Sequence, residues 1–229
     1  TRRTTVAGRR VGVDTGGTFT DVVERVGGEL RVRKVPSTPE DPGAAILAGL
    51  AELGQPPEEL VHGSTVATNA LLERRGARVV LLVTAGFEDL LRIGRQARSD
   101  IYDLAVQAVE PLVKRDDTIG VRDRVGADGS VVRPLEADEV ERVVAAVEAS
   151  GAEAVAICLL HSYAFPEHER RLASALSGGG RFVTASSDLL PEFREFERAS
   201  TTTVNAYVGP VMSAYLGRLA RECGSARLR

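Results

Sequence analysis

Apolar and polar residues alternate with a period of two from Val11 onward, again over residues 19–25, and again over residues 30–35. That is the spacing of half-buried strands. Gly16-Gly17 and Gly27-Gly28 separate the three runs, so strands at 11–14, 19–25 and 30–35 are predicted as a meander. Pro36 and Pro39 break the pattern. Asp41-Pro42 then supplies a cap and first-turn proline for a helix over residues 43–53, with Ala45, Ile46 and Leu50 at helical spacing and Gly54 as its stop. A short strand at 60–62, a helix over 66–75 ended by Gly76, and an apolar buried strand at 79–83 follow. The predicted order is βββαβαβ.

Beyond Thr84 the periodicity weakens. A short helix is predicted near 87–91, followed by a long polar loop over 92–103, and long loops inside compact domains are often functional. Ala127-Asp128-Gly129 marks a hairpin between strands at 121–124 and 131–133. A second α/β stretch reads as a helix over 135–150 with Val140, Val143, Val144 and Val147 on one face, a strand at 154–160, a helix over 166–176 and a strand at 181–185. Residues 194–221 read as mostly helical with a break at Gly209-Pro210. The expected fold class is α/β, a mixed sheet with flanking helices plus a second, smaller α/β subdomain. The organisation expected is an N-terminal region over 9–116, an α/β subdomain over 117–190, and a helical start of a following domain over 191–229.

Composition narrows the function classes. The 229 residues are 43% hydrophobic and 27% charged with net charge −3, which excludes a disordered chain and gives no field that would draw nucleic acid or an anionic membrane. No apolar run reaches the roughly 18 residues of a membrane span. Two cysteines, Cys158 and Cys223, are too few for a disulfide framework or a thiolate metal site and point to a reducing, cytoplasmic setting. Thr1 at the start and a helical pattern close to Arg229 read as a piece of something longer.

Four segments carry candidate chemistry. In VGVDTGGTFTD, Asp14 ends a strand and Gly16-Gly17 turns into the next. Glycines let backbone N–H groups approach phosphate oxygens, Thr15 and Thr18 add hydroxyls, and Asp14 suits a hydrated Mg²⁺. It is neither a Walker loop nor a Rossmann fingerprint, and the same residues also read as an ordinary Gly-Gly hairpin. In VHGSTVATNA, Ser64 or Thr65 caps a helix whose mouth attracts anions, and His62, Thr65 and Asn69 share that mouth; the plainer reading is capping with an interior histidine. The polar segment 93–104 offers Arg95 and Arg98 to a carboxylate, carbonyl or phosphate, with Asp100 and Asp103 to orient them; it reads equally as a solvated loop. Segment 192–207 has i,i+3 and i,i+4 charge pairs and reads mainly as an exposed helix surface. Cys158, His161 and His168 read as packing or surface residues.

These segments, in this order, resemble the N-terminal region of the hydantoinase A and 5-oxoprolinase family, which includes acetone carboxylase subunits. The resemblance rests on VGVDTGGTFTDVV, VHGSTVATNALLERRGARVVLLVTAGFEDLLRIGRQARSDIYDL and EFREFERASTTTVNAYVGPVMSAYL. It implies a ribonuclease-H-like half of the actin-like ATPase fold, with ATP and Mg²⁺ as cofactors. By that resemblance Asp14, Thr15, Gly16, Gly17, Thr18 and Thr20 form the first phosphate-binding turn, with Asp14 at the metal through water. Asp14, His62 and Asn69 are its catalytic candidates, and Thr65, Arg95 and Asp100 its substrate contacts. The implied activity is an ATP-dependent hydrolase of the N-methylhydantoinase or 5-oxoprolinase type. It opens a cyclic amide after phosphorylating the carbonyl oxygen, with a second subunit of the hydantoinase B type or a fused domain. Two alternatives are an acetone-type ketone carboxylase subunit and a non-catalytic nucleotide- or sugar-sensing module. The family's second Gly-Gly-Thr motif is absent after Asp21, so half a nucleotide site, inactive alone, is expected from these residues.

Overall fold

A computed structural model describes residues 9–16, 18–26, 28–38, 42–53, 57–97, 102, 110–223 and 227–229. In chain order the elements are β1 (Arg10–Thr15), β2 (Phe19–Val26), β3 (Glu29–Pro36), α1 (Pro42–Ala51), β4 (Glu59–Ser64), α2 (Val66–Leu72), β5 (Val79–Thr84) and α3 (Leu90–Ile93). After a short 3-10 turn follow β6 (Thr118–Val121), β7 (Arg124–Val125), β8 (Val131–Arg133), α4 (Ala137–Ser150), β9 (Ala154–Cys158) and α5 (Glu167–Leu176). The chain closes with β10 (Phe182–Ala185), α6 (Ser186–Leu189), α7 (Glu195–Glu222) and β11 (Arg227–Leu228). The expected opening order βββαβαβ is observed.

Contacts divide the described chain into two units: residues up to Arg74 together with those from Val211 onward, and Arg75–Pro210. The second unit runs across the boundary read at 116/117, because β5, before it, shares a sheet with β6, β9 and β10 after it.

In the first unit β1, β2 and β3 form the antiparallel meander, β4 joins β1 in parallel, and β11 joins β4 in parallel, giving the order β11-β4-β1-β2-β3. Alternation decides which face is covered. Val11, Val13, Val22 and Leu60 point one way and pack with Ile46 and Leu53 from the α1 region and Leu219 and Cys223 from the end of α7. The opposite face carries Gly12, Asp14, Asp21, Val61 and Gly63, and Val61 is exposed there.

The second unit is a four-stranded parallel sheet, β10-β9-β5-β6. Every residue of β5 and β9 is buried, as expected of parallel strands covered on both faces. Val143 and Val147 of α4 and Leu172 and Leu176 of α5 pack on Val80, Leu82, Val155 and Ile157, with Val140 and Val144 at the margin of this core.

Several expectations are corrected. The predicted helix over 66–75 ends at Leu72, because Arg74 adopts a left-handed φ of 54°; Gly76 is a packing glycine whose added Cβ would overlap the Tyr207 ring. The short helix starts at Leu90, because residues 84–87 first close a turn through the Phe87 N–H and the Thr84 carbonyl. Val121 ends the parallel strand β6 rather than starting the hairpin, since its fully buried side chain belongs to the sheet core. α7 does not break at Gly209-Pro210: it runs through Pro210, and Gly209 lets the Phe182 ring lie against its backbone, where a Cβ would collide. Segment 192–207 is not mainly a helix surface, because Arg198, Ala199, Thr202, Thr203, Ala206 and Tyr207 are buried. The proposed cap Asp41 and stop Gly54 lie outside the described residues.

Candidate functional site

The hairpin of β1 and β2 sets the first half of the site. The Gly16 N–H donates to the Phe19 carbonyl at 3.0 Å, and a Cβ on Gly16 would stand a tight 3.1 Å from that oxygen, so the closed turn favours glycine. Asp14 and Asp21 are direct register partners and share the face opposite the core. Asp14 is exposed and its Oδ1 lies against Gly63, where a Cβ would come within 3.0 Å. Asp21 pairs with Lys34, Nζ to Oδ1 3.5 Å, and that oxygen is buried without a hydrogen bond among the described residues. Carboxylates opposite one another on adjacent strands repel, and a cation relieves them. Two carboxylates on one face, one of them exposed, suit Mg²⁺, which keeps waters and phosphate oxygens as its other ligands; among the described residues no three-residue cluster of His, Cys, Asp or Glu is assembled for a metal. The residues present therefore fit a phosphate-borne Mg²⁺.

The threonines divide. Thr18 is exposed at the turn. Thr20 points to the core, fully buried, and its Oγ1 is 2.9 Å from Ser37 Oγ, so it braces the hairpin against the strand end of β3. Thr15, also buried, lies on the core face, while its carbonyl accepts from Thr65 Oγ1 at 3.4 Å. Gly17 lies outside the described residues.

The end of β4 supplies the second half. Ser64 Oγ accepts from the Val66 N–H at 3.1 Å, and the Thr65 side chain makes no cap bond. Instead Thr65 receives the Asn69 amide, Nδ2 to Oγ1 3.4 Å, so Asn69, Thr65 and the Thr15 carbonyl form a chain beside the β1 terminus. α2 has only seven residues, too short to make its mouth an anion site. His62 is register partner of Val13, so its side chain lies on the core face, away from Asp14. Its Nδ1 is 3.2 Å from the Val13 carbonyl and its Nε2 is hydrogen-bonded to the Tyr215 hydroxyl. Burial pushes its pKa below the ordinary 6.5, against smaller raising effects of the Val13 carbonyl and Asp14.

Arg95 belongs to the second unit. Its Nε donates to Glu197 at 2.8 Å and its guanidinium lies over the Phe196 ring. Asp100, Arg98 and Asp103 lie outside the described residues. Sequence reasoning missed Asp21, whose symmetry with Asp14 about the turn was readable, and Tyr215, for which no local signal exists. It also missed a buried network at the strand ends of the second sheet. There Glu169 accepts from the Leu159 N–H, Ser162 and Ser186 hydroxyls and the Ser187 N–H at 2.7–2.8 Å, and the fully buried Arg198 donates to the Leu159 carbonyl and the same two serines. Cys158 is inert packing, as expected: burial pushes its thiol up to about 12. His168 is likewise internal, with Nδ1 3.0 Å from Asp123.

Among the described residues no helix is long and apolar enough to cross a membrane. Comparison with known proteins adds the family. Residues 10–178 match the hydantoinase/oxoprolinase N-terminal region. The chain is 36% identical over 226 residues to caprolactamase subunit alpha of Pseudomonas jessenii, covering 92% of this chain and 32% of that protein. The crystal structure of the ATP-dependent caprolactamase from that organism superposes with a TM-score of 0.82 at 35% identity, over 96% of this chain and 35% of the other. This chain is 37% identical over 243 residues to 5-oxoprolinase 1 of Arabidopsis thaliana, covering 89% of this chain and 19% of that protein. The nucleotide-free structure of acetone carboxylase, from work on ATP-dependent acetone carboxylation, superposes with a TM-score of 0.81 at 30% identity, over 93% and 34%. The chain thus spans about a third or less of the length of these relatives. With its β1–β2 hairpin, its β4 strand end and the second unit as far as α5 within the matched region, the chain belongs to the hydantoinase/oxoprolinase family.

Proposed function

We propose that this chain is the N-terminal part of a cytoplasmic ATP-dependent hydrolase that opens a cyclic amide of the hydantoin or 5-oxoproline type. The observation that carries the reading is the Asp14–Asp21 pair at a glycine-closed hairpin turn in a sheet of order β11-β4-β1-β2-β3. We read that sheet as a ribonuclease-H-like half of an actin-like ATPase.

Bound Mg-ATP would supply the γ-phosphoryl group to the amide carbonyl oxygen, leaving ADP, so that water can add to the ring carbon, the ring C–N bond can break to an amine, and the former carbonyl oxygen can leave with the phosphate. Asp14 and Asp21, on one face of the hairpin, would hold the hydrated ion. Thr18, exposed at the turn, would offer its hydroxyl to phosphate oxygens as charge shifts onto them. Thr65 and Asn69, exposed beside the β1 end, are the proposed substrate contacts. Positioning and charge neutralisation do most of the work. A second subunit or fused domain completes the site; the caprolactamase relative is itself a subunit alpha.

The acetone carboxylase likeness favours one second reading, phosphorylation of a ketone enolate or bicarbonate on the same turn. Phosphate release by the full-length protein with its partner subunit, across 5-oxoproline, hydantoins, other lactams, and acetone with bicarbonate, separates the two. Stimulation by a cyclic amide is the expected result. Stimulation only by the ketone moves the protein to the carboxylase branch, and nucleotide binding with silence across the panel leaves a sensing module.

A further inference from the structure

His62 and Tyr215 stand 153 positions apart in the chain and meet on the core face of the first sheet. The ring centroids are 5.6 Å apart and tilted by 48°. A carbonyl only accepts, so the Nδ1 that faces the Val13 oxygen at 3.2 Å carries the ring proton, and the neutral ring leaves Nε2 as the acceptor. The Tyr215 O–H is therefore the donor in the second bond. Burial favours this state on both sides: it holds the His62 pKa below its ordinary value and pushes the Tyr215 phenol up, against the Ser64 and Thr15 hydroxyls. The phenol thus reaches β1 through the imidazole, whose other nitrogen faces the Val13 carbonyl.

These contacts engage both ring nitrogens, and the register turns the imidazole away from Asp14. A general acid or base needs a nitrogen within reach of the reacting atoms. We infer that His62 and Tyr215 are positioning residues: the phenol holds the imidazole as its Nδ1–H tautomer, and the imidazole holds the Val13 carbonyl, which sets where β1 delivers Asp14 and the turn. The inference rests on the reading of that turn as a nucleotide site.

Nitrogen-15 spectra of the histidine rings test it, and His62→Asn assigns the signals among the three histidines. The native protein is expected to show His62 as a single Nδ1–H tautomer. Tyr215→Phe should turn it into a mixture, shift the Asp14, Thr15 and Gly16 amides, and raise the Mg-ATP KM about tenfold with kcat little changed. His62→Asn keeps a donor for Val13 and should lose no more than about tenfold, and the double variant should be no worse than the singles. An Nε2–H tautomer in the native protein, or unmoved amides in Tyr215→Phe, would overturn the inference. So would a loss of about a hundredfold or more in His62→Asn alone, the mark of acid–base catalysis. The spectra need no substrate, so a protein that releases no phosphate with any cyclic amide contradicts the proposed function while the tautomer and amide shifts still decide this inference.

Discussion

Asp14 and Asp21 face one another across the β1–β2 hairpin as register partners, one carboxylate exposed beside Gly63 and the other paired with Lys34. Two carboxylates at opposed register positions on one face suit a divalent cation. Replacing Asp14 by Ala should therefore reduce Mg-ATP turnover of the complete protein by about a hundredfold or more. Because Asp14 is exposed, stability should shift by less than about 0.5 kcal/mol. Steady-state phosphate release and a denaturation midpoint check both halves; full activity in the variant removes Asp14 from the site.

Gly63 gives a subtler handle on the same carboxylate. A Cβ there would stand 3.0 Å from Asp14 Oδ1, at the movable end of a side chain, so Gly63→Ala should fold while displacing the carboxylate. Turnover should fall by about tenfold to a hundredfold, recovered in part by raised Mg²⁺. A titration of rate against Mg²⁺ concentration reads this directly.

The hairpin was legible in the sequence because its determinants are local. Alternation over 11–14 and 19–25 defines the faces, and Gly16 closes the turn. What escaped depended on distant partners. β6 has four residues and forms only by lying against β5, and α7 runs through Pro210 with Phe182 against Gly209. Tyr215 is one aromatic on a long helix until folding brings it to His62. The apparent charge pairs around Arg198 look like a helix surface in one dimension, yet Arg198 is fully buried against Glu169 at 3.7 Å.

That buried pair makes a stability prediction for the second unit. Glu169→Gln keeps the shape but leaves Glu195, also 3.7 Å away, as the one remaining carboxylate beside the Arg198 guanidinium among the described residues, and Glu169→Ala also removes acceptors for four donors. Breaking a buried pair from one side costs about 3–5 kcal/mol. Denaturant unfolding should show Glu169→Ala at that level and Glu169→Gln below it; a loss under about 1 kcal/mol for Glu169→Ala would contradict the network's role.

Acid should reveal Glu139. Hydrogen bonds from Arg142, together with the Arg122 backbone and side chain, hold its carboxyl down from 4.5 to about 2. The folded pKa lies below the unfolded one, so the stabilisation is present above about pH 4.5 and is lost as pH falls toward 2. It amounts to about 3 kcal/mol at most, less whatever the half-exposed arginines lose to solvent screening. Glu139→Gln should flatten the stability curve between those pH values and lower the plateau above them.

The central claim is that the chain's hairpin serves transfer of a phosphoryl group to an amide oxygen. The most direct measurement follows ¹⁸O from the carbonyl of a cyclic amide that stimulates phosphate release by the complete protein. If the carbonyl oxygen attacks the γ-phosphorus, the released phosphate carries the label. Label retained wholly in the ring-opened carboxylate, with unlabelled phosphate, would contradict the account.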